Sequence, residues 1–580
     1  MPATARPWWR DACVTRRASL TPASDATRRN VEWWDNAVIY QISPWSFQDS
    51  NGDGIGDLPG IIDRLDYIDS LGVDAIWLTP IFASPMDDLG YDITELREIS
   101  PLFGSMNDFQ RLLDLVHDRG MRLVLDMVWN HTSEAHAWFR ESRSSRDNPK
   151  ADWYVWADPA ADGAPPNNWL SSFSGDTAWH YDETRQQYYL ANFLPSQPDL
   201  NWYNEAVRAE VLDCARFWLE LGIDGMRLDA VNFFCHDPSL SDNPLRGDSD
   251  PLPHGIDPDN PLAKQIFCNS FCRPETLDLL APLRELVDQY PGVMLLGEVI
   301  EADDSIELAA QYTRGDKRLH LAYHGGLLFH ERMSAGRLRE VVGHALERFG
   351  DDGACWIVGN HDFGRLHSQW QANEANYPQE FYRMMAAVLL ALPGAFCLWQ
   401  GDELGMNEAR IPEDISPQAL RDPFGRTMYP RLKGRDGSRT PMPWSDAQPN
   451  AGFTDAEAPW LPIPEAHLRC AANGQQANPE SILSHWRRLL HWRRLQPALQ
   501  TGSTRLLDLG DSLLTLLRED SEQRLLCVFN ISDAPARADL GGFGALVPAQ
   551  GLGYHDRAGP VVELRPWGVL LADLPPGPSL

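Results

Sequence analysis

The sequence predicts an α/β fold: a (β/α)8 TIM barrel, a small domain inserted after strand 3, and a C-terminal antiparallel β-sandwich domain. Three observations carry this expectation. Apolar runs of strand length alternate with helical stretches, the pattern of parallel strands buried on both faces and joined by crossover helices. Four segments, RLVLDMVWNH (122–131), DGMRLDAVNF (224–233), VMLLGEV (293–299) and CWIVGNHD (355–362), carry acids or histidines at their ends. After about residue 503 the pattern becomes short alternating runs such as LLTLLRED, RLLCVFNIS and VVELRPWGVLL between Asp and Gly turns, which reads as antiparallel β structure.

Taken in order, residues 1–31 are rich in Arg, Ala, Ser and Thr without an apolar h-region, so a mobile extension and not a signal peptide is expected. The barrel is expected over 32–131 and 191–502, with strands at 37–42, 75–78, 123–128, 226–231, 294–299, 319–323, 356–358 and 395–399. Helices such as LDYIDSLG and DFQRLLDLVHDRG, each with a glycine stop, lie between them. Residues 132–190, which include ADWYVWADPAADGAPPNNW, are too long for a loop and predict an inserted domain B. The uncharged stretch 384–399 is broken by Pro393-Gly394 and reads as a buried helix, a turn and a strand instead of a membrane span. The helix SILSHWRRLLHWRRL could suggest a nucleic-acid contact, but its Trp and Leu spacing suits a face docked on the barrel. Residues 503–580 form the expected β domain.

A net charge of −32 argues against nucleic acid or an anionic membrane as partner. Nine cysteines, an odd number without CxxC spacing, predict a reduced compartment and a cytoplasmic protein. A monomer or homodimer is expected.

Buried acids cost several kcal/mol unless paired or used, and the strand ends of such a barrel converge on one pocket. This predicts a carboxylate-using enzyme, with sugar cleavage the best match. Retaining glycosidases need two carboxyl groups about 5–5.5 Å apart, one nucleophile and one acid/base. Asp229 lies two residues after Arg227, on the same face of a strand, where the guanidinium would hold it ionised. Glu298 closes an apolar strand, where desolvation would raise it and keep a proton available. Asp362, preceded by His361, could bind hydroxyls and support oxocarbenium charge. Asp126 reads as an acid that orients its neighbours, and His131 and His361 as either satisfied core histidines or ligand contacts.

With these segments the chain resembles glycoside hydrolase family 13, the α-amylase family, over roughly residues 32–580, and within it the bacterial α-glucosidase and oligo-1,6-glucosidase branch. The resemblance implies Asp229 as nucleophile, Glu298 as acid/base and Asp362 as transition-state stabiliser. It also implies that His131 and His361 contact the non-reducing-end glucose, and that Asp88 pairs with Arg435 of KGRD to close that end of the pocket. Tyr91 would stack on the ring, Phe173, Phe193 and Gln197 would line the same pocket, and Glu408 would lie near the next subsite. The implied activity is that of a retaining exo-acting α-glucosidase on short α-glucosides such as maltose, sucrose or isomaltose-type sugars, without an organic cofactor. A glucosyltransferase or isomerase such as trehalose synthase, a sucrose-specific hydrolase, and a catalytically inactive binding subunit are the alternatives. Ala230, after the nucleophile position, stands where the branch carries Val or Thr and leaves linkage open. His324-Gly325-Gly326 also departs from the bulkier residues of relatives.

A second pattern, Asp49-Ser50-Asn51-Gly52-Asp53-Gly54-Ile55-Gly56-Asp57, places oxygens at alternate positions around a glycine turn, which suits Ca2+ or Mg2+. The twelfth position is Gly60 and not the Glu of an EF-hand. The resemblance implies one structural cation on Asp49, Asn51, Asp53, the Ile55 carbonyl and Asp57.

Overall fold

A computed structural model describes residues 31–247, 250–254, 256–328, 332–350, 353–370, 378–553, 555–558 and 560–575. The extension expected over residues 1–31 falls, but for Val31, outside the described residues. Eight parallel strands close a barrel: β1 (Val38–Ile42), β2 (Ala75–Leu78), β3 (Arg122–Met127), β4 (Gly225–Leu228), β5 (Met294–Val299), β6 (Leu321–His324), β7 (Ala354–Trp356) and β8 (Gly394–Trp399). Each pairs with the next in sequence, and β8 pairs with β1. Two registers bear on the site: Asp126 of β3 lies opposite Arg227 of β4, and Glu298 of β5 opposite Tyr323 of β6.

The strands differ from the expected ones mainly at their ends. β4 stops at Leu228 because Ala230 takes a left-handed backbone (φ 45°) and Val231–Phe233 coil into a 3-10 turn. That reversal turns the chain at the rim directly after Asp229. Inside the barrel, Ile39, Trp77, Val124, Met294, Leu296, Leu321, Tyr323, Cys355, Ile357 and Cys397 pack together, and a larger apolar layer joins the outer strand faces to the helices.

The helices follow from local sequence. In α1 (Met106–Asp118), Ser105 and Asp108 form a reciprocal capping box, and Phe109, Leu112, Leu113 and Val116 make one buried stripe. Burial of each is worth about 1.5–3 kcal/mol. α2 (Gln379–Ala391) is buried along nearly its whole length and feeds β8 through Pro393-Gly394, so the uncharged stretch is core. α3 (Ile482–Arg494) carries the doubled HWRRL and buries Leu483, Trp486, Leu489 and Leu490. Its Arg493 donates to the carbonyls of Asn36 (2.6 Å), Leu390 (3.1 Å) and Gly394 (3.2 Å). Arg494 pairs with Asp74 at 2.8 Å. This helix therefore spends its cations on the barrel.

Within 132–190, the strands Trp156–Ala157, Gln187–Leu190 and Trp179–Asp182 form a three-stranded antiparallel sheet in that order. At the C-terminus, β9 (Ser503–Leu507), β10 (Leu513–Glu519), β11 (Arg524–Asn530), β12 (Ala536–Asp539), β13 (Val547–Pro548), β14 (His555–Ala558), β15 (Val561–Leu564) and β16 (Val569–Asp573) make two antiparallel sheets, ordered β9-β10-β11-β16-β13 and β12-β15-β14. Leu513, Leu517, Leu526, Val528, Ala538, Val562, Leu564 and Leu570 form an apolar layer shared by the two. Among the described residues no helix is long and apolar enough to cross a membrane, and the eight described cysteines are free thiols.

Candidate active site

The C-terminal ends of the barrel strands open into a cavity of about 1220 Å3. Asp229, Glu298 and Asp362 all line it, with Asp88, Tyr91, His131, Phe173, Phe193, Glu408 and Arg435. Gln197, Arg227 and His361, expected among the substrate contacts, are not in the cavity wall; each is buried and bonds to a residue that is, Gln197 to Asp88 and His131, Arg227 to Asp229 and His361 to Asp362.

Arg227 is fully buried and organises the floor. Its Nη1 donates to Asp126 Oδ1 (2.6 Å) and Asp229 Oδ1 (2.5 Å), and its Nη2 lies 2.7 Å from Glu298 Oε2. The two reacting acids of the expected mechanism thus share one guanidinium and face one hollow. Tyr323 completes the arrangement, accepting from Arg227 Nη2 at 2.7 Å and donating to Glu298 Oε1 at 3.0 Å. The left-handed turn at Ala230 aims its backbone N–H at Glu298 Oε2, 2.9 Å away.

Burial dominates the electrostatics. It pushes Asp229 up to about 7 although Arg227 pulls the other way, with Asp126 and Asp362 adding to the rise. Glu298 is likewise pushed up to about 7 by burial, against Arg227 and with Asp229 and Asp362. The expected contrast, an ionised Asp229 beside a raised Glu298, is therefore replaced by two raised acids, because one cation serves Asp126, Asp229 and Glu298 together. Asp362 goes the other way. Burial would raise it, but His361 Nε2 at 2.8 Å, Arg435 Nη1 at 2.5 Å and Arg439 Nη2 at 3.0 Å hold it well below the usual carboxylate range.

One end of the hollow is closed by a cluster around Arg435. It pairs with Asp88 at 3.4 Å, as expected, but more tightly with Asp362 (2.5 Å) and with the buried Asp422 (2.7 Å). Its guanidinium lies 4.8 Å from the Phe173 ring centre. Asp88 also accepts from Gln197 Nε2 at 3.0 Å, and burial, partly offset by Arg435, puts it at about 7. Tyr91 donates to Asp126 at 3.0 Å and stacks parallel on His361 at 5.2 Å. His131 is held at about 4 by burial and is neutral, within 3.1 Å of the Tyr91 carbonyl and 5.1 Å from the Phe193 ring. Glu408 accepts from the Arg365 N–H at 2.9 Å, and burial lifts it to about 7.

Three contributors escaped the sequence reading. Tyr323 and Arg439 carry readable signals, a phenol at the end of β6 and a second arginine four residues after Arg435 in KGRDGSRTP. Asp422 carried none. Asp126, read as an orienting acid, holds Arg227, Tyr91 and the Trp77 Nε1–H (3.2 Å).

The loop at 49–57 is a nest of Asx turns. Asp49 accepts from the N–H groups of Asn51, Gly52 and Gly54 and from Thr454, Asn51 from Asp53 N, Asp53 from Ile55 N, and Asp57 from Ser50 and Gly60. Among the described residues no three His, Cys, Asp or Glu side chains converge as a metal cluster. The donor set fits a hard cation in kind: three carboxylates, an amide and a carbonyl, with no described Lys or Arg paired to the carboxylates.

The alpha-amylase catalytic-domain family model matches residues 41–502. The chain belongs to the alpha-amylase family. This family member is 43% identical over 548 residues, 94% of its length and 97% of the relative's, to a protein of Rhizobium meliloti (strain 1021) named probable alpha-glucosidase. It is 37% identical over 533 residues to the oligo-1,6-glucosidase of Heyndrickxia coagulans, covering 87% of this chain and 92% of that one. Among solved structures, the alpha-glucosyl transfer enzyme XgtA superposes with a TM-score of 0.89 at 46% identity, over 94% of this chain and all 100% of that one. The trehalulose synthase MutB from Pseudomonas mesoacidophila gives a TM-score of 0.84 at 30% identity, over 94% and 100% of the two chains.

Proposed function

We propose that this alpha-amylase family member is a retaining, exo-acting α-glucosidase that cleaves, and can transfer, the terminal glucose of short α-glucosides such as maltose, sucrose or isomaltose-type sugars. The observation that carries this reading is the meeting of Asp229 and Glu298 on the single guanidinium of Arg227, inside a hollow closed at one end by Asp88, Asp362 and Arg435. Glu298 gives its proton to the leaving oxygen while an Asp229 oxygen attacks the anomeric carbon. Water then attacks the glucosyl-enzyme, with Glu298 taking the proton back. Asp362, held ionised, faces the positive charge that builds on the ring. Tyr91, His131, Phe173 and Phe193 supply the walls of the glucose site, Gln197 and His361 fix them from behind, and Glu408 borders the next subsite.

A second reading, in which a sugar replaces water as acceptor, is favoured by the 46% identity to a glucosyl transfer enzyme. Ala230, smaller than the Val or Thr of the branch, leaves room on that acceptor side. A binding subunit is disfavoured, since all the acids and Arg227 are retained. The test is to follow product anomer and the ratio of glucose to transfer product on maltose, sucrose, isomaltose and trehalose. Retained α-configuration is expected first from maltose or sucrose; inverted product or no turnover of any of the four refutes the reading.

In the same reading residues 132–190 act as a domain inserted between barrel segments 32–131 and 191–502, 503–580 are the C-terminal domain, and the protein works in the cytoplasm as a monomer or homodimer. One structural Ca2+ or Mg2+ is assigned to Asp49, Asn51, Asp53, the Ile55 carbonyl and Asp57, where it would neutralise the loop's charge and stiffen it.

A further inference from the structure

Glu301 stands three residues beyond Glu298, where β5 leaves the barrel, and it lines the same cavity. Its backbone is left-handed (φ 54°), a conformation that disfavours any residue but glycine. Two hydrogen bonds keep it so: Glu301 N–H donates to the His254 carbonyl at 3.2 Å, and His254 N–H to the Ala302 carbonyl at 3.0 Å. A long acidic side chain held in such a backbone beside the reacting acids points to a function for the strain. Glu301 Oε2 is sealed from solvent without a close hydrogen-bond partner, and the hydroxyl of Ser172, which also lines the cavity, is the polar side chain that reaches the Glu301 carboxyl. Among the described residues no Lys, Arg or His forms an ion pair with Glu301.

A carboxylate with a sealed oxygen and no cation in direct contact costs several kcal/mol, whereas a neutral carboxyl does not. Burial accordingly lifts Glu301 to about 8, with Glu298 and Asp362 adding to the rise and Arg435 and the Ser172 hydroxyl offsetting only part of it. At neutral pH it is an acid O–H on the cavity wall that can donate as well as accept. Barrel strands run outward to the cavity mouth. A residue past Glu298 on this strand therefore lies nearer the mouth than the proton donor does, where a second sugar would enter.

We propose that Glu301 sets leaving-group and acceptor specificity: its carboxyl hydrogen-bonds a hydroxyl of the sugar seated next to the terminal glucose, favouring polyhydroxylated over apolar aglycones. This rests on the glucosidase reading and names the contact that selects the second sugar. A sugar hydroxyl can both give and take a hydrogen bond with a neutral carboxyl, which a nitrophenyl ring cannot. Glu301 takes no part in bond breaking, so its effect falls on which substrate is chosen.

The test compares kcat/KM for maltose with that for a nitrophenyl α-glucoside in wild type, Glu301→Ala and Glu301→Gln. Loss of one hydrogen bond to a neutral partner is worth about tenfold, so in Glu301→Ala the maltose-to-aryl ratio should fall about tenfold. Glu301→Gln, which keeps a donor and an acceptor, should recover most of it, and transfer to sugar acceptors should follow the same order. An unchanged ratio, or parallel losses on both substrates, overturns the proposal while wild-type turnover leaves the glucosidase reading standing. Failure of the wild type on both substrates overturns that reading, and the proposal with it.

Discussion

Replacing Arg227 by methionine removes the one cation on the cavity floor. Arg227 lies 2.6 Å from Asp126, 2.5 Å from Asp229 and 2.7 Å from Glu298. Breaking a buried pair of this kind costs about 3–5 kcal/mol of stability, and Arg227→Met should melt several degrees lower. The chemical effect is separate. A charge-assisted hydrogen bond is worth about 1.5–3 kcal/mol, and each 1.36 kcal/mol moves a carboxyl by about one pH unit. Asp229 stands at about 7 with the arginine in place. Without it the acid limb of the pH–rate profile should move about one to two units alkaline, and kcat/KM at neutral pH should fall about 5–50-fold. The assay is kcat/KM on an aryl α-glucoside from about pH 5 to 10, with a thermal melt alongside. Arg227→Lys keeps the charge but loses the planar fork, and should fall between wild type and methionine. An unshifted acid limb in a folded Arg227→Met protein would refute the claim that this side chain ionises the nucleophile.

Asp229 must lose its proton to attack and Glu298 must keep one to donate it, and both stand at about 7. The wild-type kcat/KM should therefore trace a narrow bell around neutral pH, and a plateau from about pH 5 to 9 would count against it. Arg435→Ala removes a cation from Asp88, Asp362 and Asp422 and leaves the last two only Arg439 and His361; kcat/KM on maltose should fall about 100-fold, and near-wild-type activity would show that this cluster does not grip the glucose. Chelation should lower the melting temperature and release bound Ca2+ or Mg2+ measurable by elemental analysis; an unchanged melt with no metal removes the cation from the 49–57 loop. Burial lifts Asp199 from its ordinary 3.8 to about 8. Between those values the folded chain keeps a proton that the unfolded chain releases, so this contribution is whole below the lower value and is lost as pH rises through the upper. The melting temperature of Asp199→Asn should accordingly decline less between about pH 5 and 8 than that of the wild type; parallel curves would exclude Asp199 as the source.

The barrel was legible because its signal is local. Runs such as AIWL, LVLD and MLLGE read as buried strands once helical stretches are seen to alternate with them, and two of the eight, at 75–78 and 294–299, match to the residue. Strand ends were harder: β4 stops early because of the backbone reversal at Ala230, which no side-chain pattern announces. Asp229, Glu298 and Asp362 were readable as strand-end acids. Their tuning was not, since it depends on how many acids share Arg227, and that is set by the register of β3, β4 and β5. Likewise the pairing of Asp88 with Arg435 came from the family resemblance, while Asp422, nearer to Arg435 than Asp88 is, sits in an unremarkable RDPFG stretch and reaches Arg435 only through the fold.

Four successive staves of the barrel send a side chain to the same planar group: Asp126, Arg227 itself, Glu298 and Tyr323. Such a hub makes turnover a reporter of barrel geometry as a whole. A slip of a few tenths of an ångström in any one stave changes the spacing of nucleophile and proton donor together. Substitutions deep in the staves, far from the sugar and harmless to folding, should therefore surface first as slower chemistry.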